Sequence, residues 1–378
     1  MMKKTVVFWI SVLLSFSFLC MPAAADGEAK TGLREAYDSL YSDSGAADLP
    51  DALPDEARAW VDSLGLSPGE PERFSNGLGE GMLAALLSLA SEGVGAPAKG
   101  LAVCLGAVLL FAAFGALGGE GIGKTAGYAA VCAAAGGLFP LVQTVSTAVC
   151  AVGGTGKFMA AFVPVYAGIL LAGGKAATAA GFQTLLLFAA TAASGVIGGL
   201  VIPFVSLYTA LSFSASATSL PVGRLTEGIK KAATWLLGLL LTLFCGVLGI
   251  QTAVSAAGDS LSMKTVRFVA GSFLPVVGAS VGEALGTVES CVSLLRTGVG
   301  AYGVVGVLAI LLPVFLQLCF WRLSLLLSEA AGELFGCGML ASLYRNVGSA
   351  VSILIGVTVW TALLFIISLT VVVLAGGG

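Results

Sequence analysis

The chain contains two long stretches without a single charged side chain, at residues 176–223 and 346–378. Each is longer than the ~20 apolar residues that an α-helix needs to cross the hydrocarbon core of a bilayer. Charged residues make up only 10% of the sequence and 57% of residues are hydrophobic, whereas a typical soluble domain has about 25% charged residues. The sequence therefore predicts an all-α polytopic membrane protein.

The N-terminus has the three parts of a secretory signal peptide. Lys3 and Lys4 precede an apolar run, and the small residues Ala23–Ala25 follow it. We predict that residues 1–25 are a signal peptide, that cleavage occurs at its end, and that the mature chain begins outside the cytoplasm.

Residues 26–91 are predicted to form an acidic extracytoplasmic segment. From Asp26 to Glu80 the sequence has thirteen acidic and four basic side chains, which argues against nucleic acid as a partner. The segment is too short for a sizeable core of its own. Its last part, residues 77–91, is apolar on one face and is predicted to be an interfacial amphipathic helix.

Residues 92–378 are predicted to form the multi-pass transmembrane domain. Two uncharged runs in it, 158–172 and 268–282, have only fifteen residues each, which is short for a span and typical of a re-entrant segment. If both runs turn back, six spans remain and the basic loop at residues 224–231 lies in the cytoplasm, where such loops are preferred. If both cross, that loop falls outside. We therefore expect about six transmembrane helices and two short re-entrant segments.

The two short runs resemble each other and suggest a degenerate internal repeat. Pro164 and Pro275 occupy similar places in them, and the next proline follows after 39 residues in the first case and 38 in the second. Repeats at residues 155–258 and 265–378 would fit the duplicated architecture of many transporters. If the short runs turn back, the two repeats have the same orientation in the membrane. If the short runs cross, each repeat has three spans and the two repeats are inverted.

Residues 118–125 match the phosphate-loop pattern GxxxxGK[ST] in every letter. That loop requires a preceding buried strand in a soluble α/β domain, whereas this stretch lies between two apolar runs. We interpret it as a glycine-rich cytoplasmic hairpin loop. Histidine is absent and no CxxC pair occurs, so the sequence predicts no metal site, no other cofactor and no catalytic centre.

A few polar side chains interrupt the apolar runs and are the candidate functional residues. An unpaired amide is costly in a membrane. Gln143 and Gln251 are therefore predicted either to form hydrogen bonds to neighbouring helices or to line a polar path. The dipeptide Gly258-Asp259 has no second embedded aspartate with which to form a protease pair, and we interpret it as an interfacial polar loop. The candidates for path lining or helix packing are Gln143, Gln251, Pro164, Pro275, Asp259 and Lys264.

The strongest local pattern comprises Gly249-Ile250-Gln251, Asp259, Lys264-Thr265, Phe268, Pro275-Val276-Val277-Gly278 and Thr287-Val288. It resembles the stage III sporulation protein AE family, and the similarity covers essentially the whole chain. The resemblance implies a multi-pass protein of the mother-cell membrane that surrounds the forespore in an endospore former. It also implies a secretion-like channel complex with an ATPase, other membrane subunits and ring-forming proteins as partners. It brings no catalytic residues.

Three functions are compatible with these observations. The leading hypothesis is a non-enzymatic channel or export-gate subunit, in which broken segments at Pro164 and Pro275 form or flank a path. The first alternative is a structural scaffold of the same complex that recruits the other subunits and conducts nothing. The second is a stand-alone small-molecule transporter, which the repeat favours and the lack of embedded charge pairs disfavours.

Overall fold

The computed structural model describes residues 30–69, 80–117, 120–196, 199, 203, 223–273 and 278–375. Within these ranges the regular elements are nine α-helices and a short 3-10 helix. In chain order they are α1 (Lys30–Asp43), the 3-10 helix (Ala46–Ala52), α2 (Asp55–Ser63), α3 (Glu80–Leu117), α4 (Glu120–Gly137), α5 (Phe139–Ala172), α6 (Ala176–Val196), α7 (Gly223–Phe273), α8 (Gly278–Leu334) and α9 (Gly338–Ala375). The predicted all-helical class is confirmed, and the predicted signal peptide lies outside the described residues.

Five stretches of these helices are long and apolar enough to cross a membrane. They are Leu87–Phe114, Ala129–Ala172, Lys231–Leu261, Ser290–Leu334 and Gly338–Leu374. The first part of α6 is a shorter apolar helix. The described residues thus give a multi-pass membrane protein with five candidate spans where the sequence predicted about six.

Helix α8 is the centre of the bundle and packs against α9, α5 and α3. Its glycines let neighbouring helices approach closely. A Cβ atom placed on Gly303 would lie 2.6 Å from the ring of Phe162, and one on Gly332 would lie 3.1 Å from the backbone nitrogen of Ala341. Such close contacts between small residues drive helix association in lipid, where burying apolar surface brings little advantage.

The break expected at Pro164 is absent, because α5 continues through this residue to Ala172. Proline removes one hydrogen bond from a helix interior, but membrane helices tolerate the loss when neighbouring helices surround the interruption. Phe162 and Tyr166, on either side of Pro164, are fully buried. Residues 158–172 are therefore the second half of a long helix. Pro275 lies outside the described residues, so its re-entrant segment and the internal repeat stay predictions.

Residues 30–69, called the head below, pack on the membrane body. Helices α1 and α2 contact α8, and the 3-10 helix contacts α5. A Cβ placed on Gly306 would lie 3.3 Å from Leu53 Cδ2. From residue 37 onwards the charged side chains of the head stay at the surface, where Arg58 pairs with Asp51 at 2.6 Å. The head thus uses the body to complete a core that it is too small to form alone.

Two stretches have a different local structure from the one the sequence predicted. Residues 120–125 of the phosphate-loop match are the first turns of α4, so their interpretation as a hairpin loop is corrected; the element before them is helix α3, where a phosphate loop needs a strand. Residues 80–91, expected within a separate interfacial helix, are the beginning of α3.

Candidate functional site

Two of the candidate residues, Gln251 and Asp259, lie in one polar seam between α6 and α7. They belong to α7, and Ser255 lies midway between them. Residues four positions apart share a helix face, so the three side chains form a row. That row faces the first turns of α6, which packs against α7.

Asp259 binds the N-terminal end of α6. The backbone N–H of Ala177 donates to Asp259 Oδ1 at 2.8 Å, and that of Thr178 donates to Oδ2 at 3.0 Å. The hydroxyl of Thr178 also donates to Oδ2. Only 6% of Asp259 is exposed. Asp259 is therefore a buried carboxylate inside α7, and the interfacial loop predicted for it is wrong.

The burial of this carboxylate has a clear physical basis. The first N–H groups of a helix have no partner within the helix, and the helix dipole makes that end attractive to an anion. Asp259 satisfies two of these donors from a different helix. The contact stabilises the start of α6 and at the same time ties α6 to α7.

Gln251 occupies space that a glycine of α6 leaves free. A Cβ on Gly181 would collide with Gln251 Nε2 and would lie 3.0 Å from Ser255 Oγ. Gln251 Nε2 donates to Ser255 Oγ at 3.5 Å, a long hydrogen bond. Gln251 therefore packs against α6 and has its polar partner on its own helix.

Comparison with protein families matches residues 62–376 to stage III sporulation protein AE. This range includes the whole seam. The chain belongs to the stage III sporulation protein AE family.

The stage III sporulation protein AE of Bacillus subtilis (strain 168) is 29% identical to the chain over 223 residues. The alignment covers 58% of this chain and 55% of the relative, so the chain spans about half the length of that curated relative. No solved structure matches the chain.

Gln143 and Pro164 do not join the seam of this stage III sporulation protein AE family member. Gln143 is exposed on α5. Its neighbour Thr144 accepts a hydrogen bond from Trp321 Nε1, whereas the seam lies near the level of Gly300. These two positions on α8 are 21 residues apart, or roughly 30 Å at 1.5 Å per residue. Pro164 lies inside α5, Lys264 lies farther along α7, and Pro275 is outside the described residues.

Sequence reasoning missed Thr178, Gly181 and Ser255. The spacing of Gln251, Ser255 and Asp259 was a usable signal, because three polar residues at intervals of four define one helix face. The partner positions on α6, Thr178 and Gly181, had no comparable signal, because small residues are common at the start of helices. In the part of the chain that the structure describes, no group of three or more Cys, Asp or Glu side chains could hold a metal.

Proposed function

We propose that this family member is a non-enzymatic membrane subunit of the secretion-like complex that links mother cell and forespore, acting as a channel or export-gate component. Membership of a stage III sporulation family and the five candidate spans support this proposal. The observation that carries it is the polar seam. Helix α7 is held to α6 by hydrogen bonds that can open, whereas α8 and α9 are closely packed, with side chains of α9 against Gly300 and Gly303 of α8. In this proposal α7 is the part that moves.

The proposed surroundings follow the family. The protein lies in the mother-cell membrane, its head lies on the extracytoplasmic side, and its partners are the ATPase and the membrane and ring-forming subunits of the complex. The exposed acidic residues of the head, among them Asp51 and Asp62, suit contact with those proteins in an aqueous space.

A pair of disulfide locks tests whether opening of the seam is needed. A Cβ on Gly258 would lie 3.3 Å from Ala177 Cβ, and one on Gly332 would lie 3.2 Å from Ala341 Cβ, both close to the mean Cβ separation of about 3.8 Å in disulfides. The variant Ala177→Cys with Gly258→Cys locks α6 to α7. The matched control, Gly332→Cys with Ala341→Cys, locks α8 to α9.

In an endospore former whose only copy carries each pair, we expect the α6–α7 lock to reduce heat-resistant spores sharply and a reductant to restore them. The α8–α9 lock and the four single-cysteine variants should sporulate normally, and non-reducing gels confirm that each lock forms. Normal sporulation with a complete α6–α7 lock would contradict gating at the seam. It would favour the scaffold, which needs insertion and binding but no movement.

A further inference from the structure

Helix α5 packs on α8 through a row of aromatic rings. Phe158, Phe162 and Tyr166 are fully buried and lie four residues apart, so their side chains share one face of α5. The ring centroids of Phe158 and Phe162 are 5.9 Å apart, and those of Phe162 and Tyr166 are 5.5 Å apart. The row continues onto α6, because the ring centroid of Phe182 lies 5.4 Å from that of Tyr166. These four residues are called the aromatic row below.

The rings of α5 lie over three glycines of α8 at intervals of three residues, which are Gly300, Gly303 and Gly306. A Cβ on Gly306 would lie 2.6 Å from the ring of Phe158. One on Gly303 would lie equally close to the ring of Phe162. Side chains spaced by four on one helix that fit between positions spaced by three on another are a standard way for helices to interlock. Small, gradual shifts of α5 on α8 are thereby prevented, because a packed core changes between discrete arrangements.

The head closes one end of the aromatic row. Leu53 is buried, and its Cδ2 lies 3.3 Å from the same Cβ position on Gly306 that the ring of Phe158 approaches. The next residue, Pro54, contacts α5, with its Cγ 3.4 Å from a Cβ on Gly154. The place where the head docks on the body therefore depends on the position of Phe158.

The other end of the aromatic row reaches the polar seam. Phe182 follows Gly181, the residue against which Gln251 packs. Phe182 also lies four residues after Thr178, which binds Asp259, so Phe182 and Thr178 share a face of α6. A shift of the row would therefore displace the part of α6 that binds Asp259 and Gln251.

We propose that the aromatic row couples docking of the head to closure of the seam. With the head docked, the row holds α5 and α6 in the register in which Asp259 binds the start of α6. A partner protein that displaces the head from Gly306 releases the row, weakens the seam and frees α7 to move. This inference rests on the proposed function, in which the seam opens, and adds the element that controls the opening.

The test measures hydrogen exchange in the full chain, purified in mild detergent. Exchange of the backbone N–H groups of Ala177 and Thr178 reports opening of the seam, because Asp259 is their acceptor. Leu53→Ala should raise this exchange rate about fivefold or more, from the lower end of the range for coupled sites. Leu340→Ala is the matched control, because Leu340 is also a buried leucine but lies at the start of α9, beside the last residues of α8. It should leave the exchange rate unchanged.

A second variant tests whether the aromatic row carries the coupling. Phe162→Leu removes a ring but keeps an apolar side chain. On this background, Leu53→Ala should change the exchange rate of α6 by less than about twofold, as for independent sites. Coupling acts in both directions, so Asp259→Asn should raise exchange in the 3-10 helix of the head by a factor similar to that of Leu53→Ala at α6.

Three results would refute the proposal. Faster exchange in the head of Leu53→Ala without a change at α6 would overturn the coupling, and so would an equal rise at α6 in Leu340→Ala. An undiminished effect on the Phe162→Leu background would overturn the aromatic row as its carrier. If Leu53→Ala does not fold, Leu53→Val is measured against the same criteria. The disulfide locks test separately whether export needs the seam to open, so either proposal can fail while the other stands.

Discussion

Helices α8 and α7 are both long and apolar, yet their surroundings are opposite. In the most apolar part of α8, 67% of residues are buried inside the protein, compared with 22% in α7. Glycines on α8 are closed by neighbouring side chains, whereas Gly238, Gly246 and Gly249 on α7 face open space. Apolar composition therefore assigns a helix to the membrane but does not indicate whether protein or lipid surrounds it.

The two helices are also attached in different ways. Helix α8 is fixed by close packing on three sides. Among the described residues, the stronger contacts of helix α7 are with α6 and α9. The contact with α6 includes the hydrogen bonds of Asp259. The outward face of α7 carries exposed apolar residues at helical spacing, which are Trp235, Leu239, Leu243, Val247, Ile250 and Val254.

The largest expected difference comes from removing one phenylalanine ring in each environment. Phe162 of α5 is fully buried against α8, whereas Phe188 of α6 is 66% exposed. We expect Phe162→Ala to lower the free energy of unfolding by about 3 kcal/mol. This is at the low end for a core cavity, because lipid rather than water is the alternative environment. Phe188→Ala should cost far less. Denaturant titration in detergent micelles measures the free energy of unfolding of both variants. Equal losses would contradict the difference between the buried and the exposed environment.

Removal of the Asp259 carboxylate should have the next largest effect. Asp259→Ala leaves the N–H groups of Ala177 and Thr178 buried without their acceptor, at a cost of about 1–3 kcal/mol. Asp259→Asn keeps one acceptor oxygen and should lose less. Asp51→Ala is the control, because Asp51 is exposed and an exposed ion pair contributes little to the free energy of unfolding. Unchanged melting temperature in Asp259→Ala would show that the seam does not stabilise the fold.

Replacement of a glycine by alanine tests the difference in packing between α8 and α7. Gly303→Ala places a Cβ 2.6 Å from Phe162, and overpacking of this kind costs about 1–3 kcal/mol. The higher helix propensity of alanine offsets about 1 kcal/mol, so we expect a net loss of up to about 2 kcal/mol. Gly246→Ala has open space and should be neutral or slightly stabilising. The same shift in melting temperature at both positions would contradict the structure.

The smallest expected effect separates two tryptophans. Trp321→Phe removes the 3.0 Å hydrogen bond to Thr144 and should cost about 1 kcal/mol. Trp235→Phe should leave stability unchanged. In vesicles containing brominated lipid, Trp235→Phe should instead remove most of the quenching of tryptophan fluorescence. Quenching that disappears with Trp321→Phe would place α8 rather than α7 against lipid.

The sequence was sufficient to predict a helical membrane protein, because uncharged runs leave few other folds. Its family was predicted from the resemblance of the local pattern at residues 249–288. It did not predict where Pro164 lies, since a proline in an apolar run is compatible with a re-entrant turn and with a helix whose neighbours surround it. It singled out Gln143 and Gln251 equally, because both are amides in apolar runs. Only tertiary packing distinguishes them: Gly181 receives Gln251, and Gln143 stays exposed.

Asp259 shows the same limit more clearly. Its partners, Ala177 and Thr178, precede it by about eighty residues. A sequence without aligned relatives carries no record of such a pairing. The spacing of Gln251, Ser255 and Asp259 could have indicated a polar helix face, but the helix end that this face contacts became visible only in the folded chain.

The contact between the head and α8 has a consequence for the order in which the protein is made. Leu53 packs at Gly306, which is synthesised 306 − 53 = 253 residues later. At about 5–20 residues per second, the head waits for roughly 10–50 s before its packing partner on α8 exists, whereas its partner on α5 is made earlier. On the proposed topology it spends that time across the membrane from the ribosome. The head completes its core only when it packs onto α8, a helix that is synthesised much later, which makes the head a natural substrate for chaperones or partner subunits that protect it in the interval.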